Sequence, residues 1–176
     1  MLKLYNSKGM GVGEVFVFIL AALTFALIMI FGYKAVTGFI QSGEDVAFVQ
    51  FKTSLESSIK RLYTEFGSVR IETFTTPAKY KQICFVDMDK KYDPELCKLD
   101  QVGCSVWEQS SGYESVDENV FLVPSAPVKI KVYKLSIDPT VGKDFLCADI
   151  KDGHFTIVLE GKGDRTEISP GLPTDQ

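Results

Sequence analysis

Four cysteines carry the most definite chemistry in this sequence. Cys84 and Cys147 lie in apolar, strand-like surroundings (ICFV and LCAD), whereas Cys97 and Cys104 lie seven residues apart in a polar stretch. Four cysteines allow three pairings, and an even number in a small exported domain is typical of disulfides. We favour Cys84–Cys147 joining two strands and Cys97–Cys104 closing a loop. A zinc site is the alternative, but no Cys-x-x-Cys spacing occurs, and we predict no metal.

The other candidates for chemistry give weaker signals. His154, the only histidine, follows an Asp-Gly turn, and we interpret it as an ordinary strand-start residue rather than a catalytic base. Asp87, Asp89 and Asp93 could form a calcium loop, but they lack its glycine and distal glutamate, which favours a solvated acidic turn. Trp107 is either a core residue or an exposed adhesive one. We therefore predict no enzymatic activity and no cofactor.

An uncharged apolar segment dominates the N-terminal part of the chain. It spans the nineteen residues 15–33 (VFVFILAALTFALIMIFGY). A helix rises about 1.5 Å per residue, so the segment covers roughly 28 Å, close to the hydrocarbon thickness of a bilayer. A buried core helix and a cleaved signal peptide are the alternatives, but no Ala-x-Ala pattern follows the segment. We predict a transmembrane helix.

The charges around this segment predict its orientation. Lys3 and Lys8 precede it, and Lys34 follows it. The positive-inside rule therefore favours a cytoplasmic N-terminus and an exported C-terminal bulk. The net charge is -4 and the sequence has no long basic run, so we predict no nucleic-acid partner.

A second helical pattern continues beyond the apolar segment. Six apolar residues recur at steps of three or four, which is one stripe at helical period, namely Phe48, Phe51, Leu55, Ile59, Leu62 and Phe66. Gly67 is a natural C-terminal stop, and no proline occurs before Pro77. We predict one long helix within residues 10–66, which contains the transmembrane segment 15–33.

Residues 67–176 have the pattern of a β-rich head. An Asp-Gly turn at residues 151–153 predicts a hairpin between its two flanking runs, and residues 89–119 are polar and predicted to be irregular. The predicted strands are residues 68–75, 81–88, 128–137, 145–150 and 154–160. The expected fold class is α+β, a long N-terminal helix packed on a C-terminal, antiparallel β-rich head.

The heptapeptide KGMGVGE at residues 8–14 stands directly before the apolar segment. It resembles the processing site of type IV pilin-like proteins, a family that includes pilins, archaeal pilins and pseudopilins. The resemblance implies that residues 1–9 are a leader (a class III signal peptide) that a prepilin peptidase removes after Gly9. Met10 is then the first mature residue, with a methylated amine in many members, and Glu14 is the fifth. Lys8 supplies the positive charge before the cut, in the archaeal style.

The resemblance also implies a function and partners. The family members are structural subunits that wait in the membrane and then assemble into an extracellular filament or a pseudopilus. Their partners are the peptidase, the membrane and sister subunits, and Glu14 would pair with the N-terminal amine of a neighbouring subunit. The cysteines and the charged lower helix favour a minor or specialised subunit.

An alternative function shares the same membrane segment. The chain could be an uncleaved single-pass protein whose exported β-domain binds a ligand or a partner. Glu14 then marks only the solvated start of the span, and Lys8 is an ordinary flanking cation. The glycines at positions 11 and 13, which are poor helix formers, also depart from the pattern of the family.

Overall fold

The computed structural model describes residues 12–110 and 116–171; of residue 12 and residues 39–42 it describes the backbone alone. Two α-helices, two 3₁₀ helices and seven strands occur in this part of the chain. The helices are α1 (Val12–Tyr63) and α2 (Gln101–Ser110), with 3₁₀ turns at Pro94–Lys98 and Pro139–Val141. The strands are β1 (Val69–Thr75), β2 (Gln82–Val86), β3 (Val120–Val123), β4 (Leu135–Ile137), β5 (Phe145–Asp149), β6 (His154–Gly161) and β7 (Thr166–Pro170).

The chain divides into two compact units, Met1–Glu44 and Asp45–Gln176. The described part of the first unit is the N-terminal portion of α1. The second unit contains the remainder of α1 and all the strands. The chain therefore has the predicted α+β fold: one long N-terminal helix, whose part in the second unit packs on a C-terminal β domain that is mainly antiparallel.

Two sheets form the β domain. The four-stranded sheet has the order β1-β6-β7-β4, and only the β4–β7 pair is parallel. The three-stranded sheet has the order β3-β2-β5 and is antiparallel throughout. On β6, Phe155, Ile157 and Leu159 are buried and alternate with partly buried residues, which is the period-2 pattern of a strand with one covered face.

The C-terminal part of α1 supplies one side of the core. Its apolar stripe is buried as the spacing predicts, with the exposed fraction between 0% and 4% for Phe48, Phe51, Leu55, Ile59 and Leu62. The Phe51 ring meets the Phe155 ring of β6 at a centroid distance of 6.1 Å. Phe66 is the exception: the helix ends at Tyr63, and the Phe66 side chain is 83% exposed.

The end of α1 is fixed by the backbone of β6. The N–H of Gly67 donates a 2.8 Å hydrogen bond to the carbonyl oxygen of Gly161, and Gly67 has a left-handed φ of 76°. A Cβ at Gly161 would overlap the carbonyl oxygens of Leu62 and Glu65. Gly161, which has no Cβ, therefore permits the close approach of β6 and the end of α1.

The predicted hairpin between residues 145–150 and 154–160 is wrong. The turn itself exists, with positive φ angles at Asp152 and Gly153 and a bridge between Lys151 and His154. However, β5 pairs with β2, whereas β6 pairs with β1 and β7. The turn therefore passes the chain from the three-stranded sheet to the four-stranded sheet, because β5 and β6 do not pair with each other.

Two further predictions are corrected by the structure. Residues 89–119 are not wholly irregular, since they contain α2 and the 3₁₀ helix at Pro94–Lys98. The predicted strand 128–137 is a strand only at Leu135–Ile137, with an isolated bridge at Ile130. The alternation of apolar residues there still places alternate side chains in the core, as at Ile130 and Val132.

Candidate membrane and assembly surface

The N-terminal part of α1 exposes an apolar surface on all sides. Every large apolar side chain from Val15 to Val36 is at least 43% exposed. The helix is long and apolar enough to cross a membrane, and no residue of its most apolar stretch is buried. A core helix of a soluble domain would be mostly covered, so the exposed surface is compatible with a membrane anchor or a filament subunit.

Two threonine hydroxyls along this part of α1 form hydrogen bonds within the helix. The Thr24 hydroxyl lies 3.0 Å from the carbonyl oxygen of Leu20, and the Thr37 hydroxyl lies at the same distance from that of Tyr33. Each hydroxyl therefore donates within its own helix, which removes much of the cost of placing it among lipid chains or apolar neighbours.

Glu14 lies in the first turn of α1 and is exposed. A carboxylate there interacts favourably with the positive end of the helix dipole. The other residues of the predicted processing site, Lys8, Gly9 and Met10, lie outside the described residues, as does the leader 1–9. Glu14 thus stands at the boundary between the predicted cut site and the apolar surface.

One disulfide joins the two strands of a sheet. Cys84 on β2 lies directly opposite Cys147 on β5, and their sulfurs are bonded. Cys84 is fully buried, so the bridge lies partly within the domain. This is the strand-to-strand pairing that the sequence favours.

The second disulfide lies in a separate apolar cluster. Cys97 in the 3₁₀ helix is bonded to Cys104 in α2, and the Tyr92 hydroxyl lies 3.1 and 3.3 Å from their sulfurs. Trp107 is fully buried in this cluster, so it is a core residue and not an exposed adhesive one. Two disulfides in one small domain are typical of proteins that fold in an oxidising environment.

The aspartates of the acidic run organise turns. The Asp87 carboxylate accepts the N–H of Asp89 at 3.1 Å, and Asp93 caps the 3₁₀ helix by accepting the N–H of Glu95 at 2.9 Å. Burial raises the pKa of Asp87 above its ordinary value. Among the described residues, no three His, Cys, Asp or Glu side chains are grouped to hold a metal ion.

His154 begins β6 and is exposed. Its Nδ1 lies 2.8 Å from the carbonyl oxygen of Asp152 in the preceding turn. This contact joins the ring to the backbone of a turn and involves neither a serine nor a carboxylate.

A groove beside the end of α1 was not anticipated from the sequence. It has a volume of about 430 Å³ and contains two tyrosines, with the full lining Ser57, Lys60, Arg61, Tyr63, Thr64 and Tyr133. The Tyr63 and Tyr133 rings meet edge to face at a centroid distance of 4.7 Å. Only the helical spacing of Lys60 and Tyr63 was visible in the sequence, because Tyr133 is seventy residues further along the chain.

No protein-family model, curated protein or solved structure matches the chain. The findings on function are therefore those of the molecule itself: an exposed apolar helix near the N-terminus, a β-rich domain and two disulfides.

Proposed function

We propose that this protein is a structural subunit of a type IV pilus-like filament or pseudopilus. The observation that carries the proposal is the start of α1, where Glu14 directly precedes a long, exposed apolar surface. The KGMGVGE sequence that contains Glu14 supports processing after Gly9 by a prepilin peptidase.

The apolar surface then has two successive environments. Before assembly, the segment 15–33 spans the membrane, because its length matches the hydrocarbon core. After assembly, the same side chains pack against sister helices in the filament. The two disulfides support an exported β domain that stays outside the cytoplasm in both states.

Glu14 has a specific role in this proposal. A carboxylate within or beside an apolar layer is costly unless a cation pairs with it. Cleavage after Gly9 creates an amine at Met10, and the amine of one subunit is the partner for Glu14 of the next. The proposal includes no catalytic activity and no cofactor.

The test compares cells that express the unaltered chain, Glu14→Ala and Glu14→Gln. All three proteins should accumulate equally in the membrane. Only the unaltered chain should give surface filaments in negative-stain images, or multimers when membranes are cross-linked. The control is Glu44→Gln, which changes a carboxylate outside the processing site and should preserve assembly.

The alternative is an uncleaved single-pass protein with an exported binding domain. It uses the same apolar helix and the same disulfides but gives Glu14 no special role. Equal location and equal multimer content in Glu14→Ala and the unaltered chain would favour this alternative and contradict the filament proposal.

A further inference from the structure

The face of α1 that points away from the core is accessible along the second unit. Its residues follow the helical period on the side opposite the buried stripe, and all of them are exposed, namely Val46, Val49, Gln50, Thr53, Ser57 and Lys60. Most of these side chains are short, so another chain can approach the helix closely.

The beginning of this face combines two valines with an acid. Val46 and Val49 are 57% and 59% exposed, and Asp45 is exposed beside them. Asp45 forms no ion pair with any described residue. This end of the face therefore presents apolar area together with an uncompensated negative charge.

The other end of the face has the complementary chemistry. The groove of about 430 Å³ exposes mainly apolar area between Tyr63 and Tyr133. The Nζ of Lys60 lies 5.8 Å from the centre of the Tyr133 ring and has no carboxylate partner among the described residues, whereas Arg61 is paired with Glu72 at 2.9 Å. The groove therefore combines aromatic surface with an uncompensated positive charge.

We propose that this groove receives the Asp45–Val49 turn of a second copy of the chain, with the valines against the tyrosine rings and Asp45 beside Lys60. This inference rests on the proposed function, because a filament supplies copies of the chain as neighbours. A second copy is the favoured partner, since one molecule carries both halves of the complementary pair.

The position of the two patches on one helix defines the arrangement of neighbours. Asp45 and Lys60 are 15 residues apart, and Val49 and Tyr63 are 14 apart, which corresponds to an axial stagger of about 21–23 Å for parallel helices. Because the two contacting patches differ, the interface is heterologous. Such an interface repeats from copy to copy and forms an open assembly unless its rotation closes a ring.

Cysteine cross-linking between two differently tagged full-length copies tests this stagger. One copy carries Gln50→Cys and the other Thr64→Cys, which are 14 residues apart and leave Asp45, Lys60 and the tyrosines unchanged. The control pair is Gln50→Cys with Ser57→Cys, which lies about 10 Å away from the proposed register, beyond the reach of a disulfide. Oxidation of native membranes or filaments should give several-fold more mixed-tag dimer with the first pair.

A charge exchange provides a second readout. Asp45→Lys should lower the multimer content several-fold, and Lys60→Asp should do the same, because each places like charges together. The double variant Asp45→Lys/Lys60→Asp restores the opposite charges and should recover most of the multimers, an outcome that a merely structural role of either residue does not produce.

The results of these experiments distinguish failure of the proposed interface from failure of the filament proposal. Filaments that cross-link equally with both cysteine pairs overturn the interface and leave the filament proposal intact. Failure of the double charge variant to recover assembly while both single variants fold also overturns it. Absence of any multimer from the unaltered chain overturns both proposals.

Discussion

The Thr166 hydroxyl on β7 donates a 2.8 Å hydrogen bond to the carbonyl oxygen of Ile59 in α1. Both residues are fully buried, and 107 positions separate them in the sequence. The bond is therefore a point at which the four-stranded sheet fixes the position of the helix that also carries the proposed assembly face.

Removing this hydrogen bond should weaken the second unit. Thr166→Val keeps the side-chain volume but removes the donor, so we expect the free energy of unfolding to fall by about 0.5–1.5 kcal/mol. Urea unfolding in detergent, followed by the fluorescence of Trp107, the only tryptophan, measures the change. Thr75→Val is the control, because Thr75 is exposed at the end of β1, and an equal loss there would contradict the role of the buried bond.

A larger residue at position 161 should destabilise the second unit. A Cβ there overlaps carbonyl oxygens of the last turn of α1, so Gly161→Ala must displace strand or helix and should cost about 1–3 kcal/mol of unfolding free energy. Gly43→Ala is the matched control, since its Cβ meets nothing within 4 Å. If Gly161→Ala unfolds at the same urea concentration as the unaltered chain, the close approach of β6 and α1 is wrong.

The two disulfides should differ in their contribution to stability. Cys84–Cys147 closes a loop with a sequence separation of 63, and Cys97–Cys104 one of 7. The chain-entropy relation predicts losses of about 4 and about 2.5 kcal/mol when the paired cysteines are replaced by alanine. Unfolding curves of Cys84→Ala/Cys147→Ala and Cys97→Ala/Cys104→Ala provide the comparison, and the opposite order would contradict it.

Asp87 should make the domain less stable as the pH rises. Burial raises the pKa of this carboxyl in the folded state, so the folded protein binds its proton more tightly than the unfolded chain does. Stability is then lost as the pH rises from the unfolded pKa, about 4, through the raised folded value. Asp87→Asn removes this titration, so the difference in unfolding free energy between the variant and the unaltered chain should grow over that range and then level off. A difference that is independent of pH would contradict the assignment.

The sequence was most informative where the structure is local. The spacing of Phe48, Phe51, Leu55, Ile59 and Leu62 predicted the buried stripe because helical period alone decides which side chains share a face. The same spacing misassigned Phe66, because the chain leaves the helix after Tyr63 and the left-handed Gly67 turns it towards β6. That turn depends on Gly161, which periodicity does not connect to the helix.

Contacts between distant residues account for the other errors. The turn at Asp152 and Gly153 was recognised, but its strands join different sheets: β5 pairs with the distant β2, and β6 pairs with the distant β1 as well as with β7. Helix α2 contains Gly103 and Ser105, which have low helix propensity, and it is held instead by burial of Trp107 and by the bridge to Cys97. Tertiary packing overrides local preference in both cases.

The candidate surface was likewise predictable only in its local part. The apolar segment and Glu14 form a pattern that can be read along the sequence. The groove depends instead on the contact between Tyr133 and Tyr63 at the end of α1. No local sequence pattern predicts this contact, because it depends on where the segment before β4 lies against the helix.

The most direct test of the filament-subunit proposal is the intact mass and N-terminal sequence of the protein isolated from native membranes or filaments. We predict a mature chain that begins at Met10, lacks residues 1–9 and retains the apolar helix with Glu14 as its fifth residue. A mature chain that begins at Met1, or one cut after the apolar segment so that the helix is lost, would contradict the proposal.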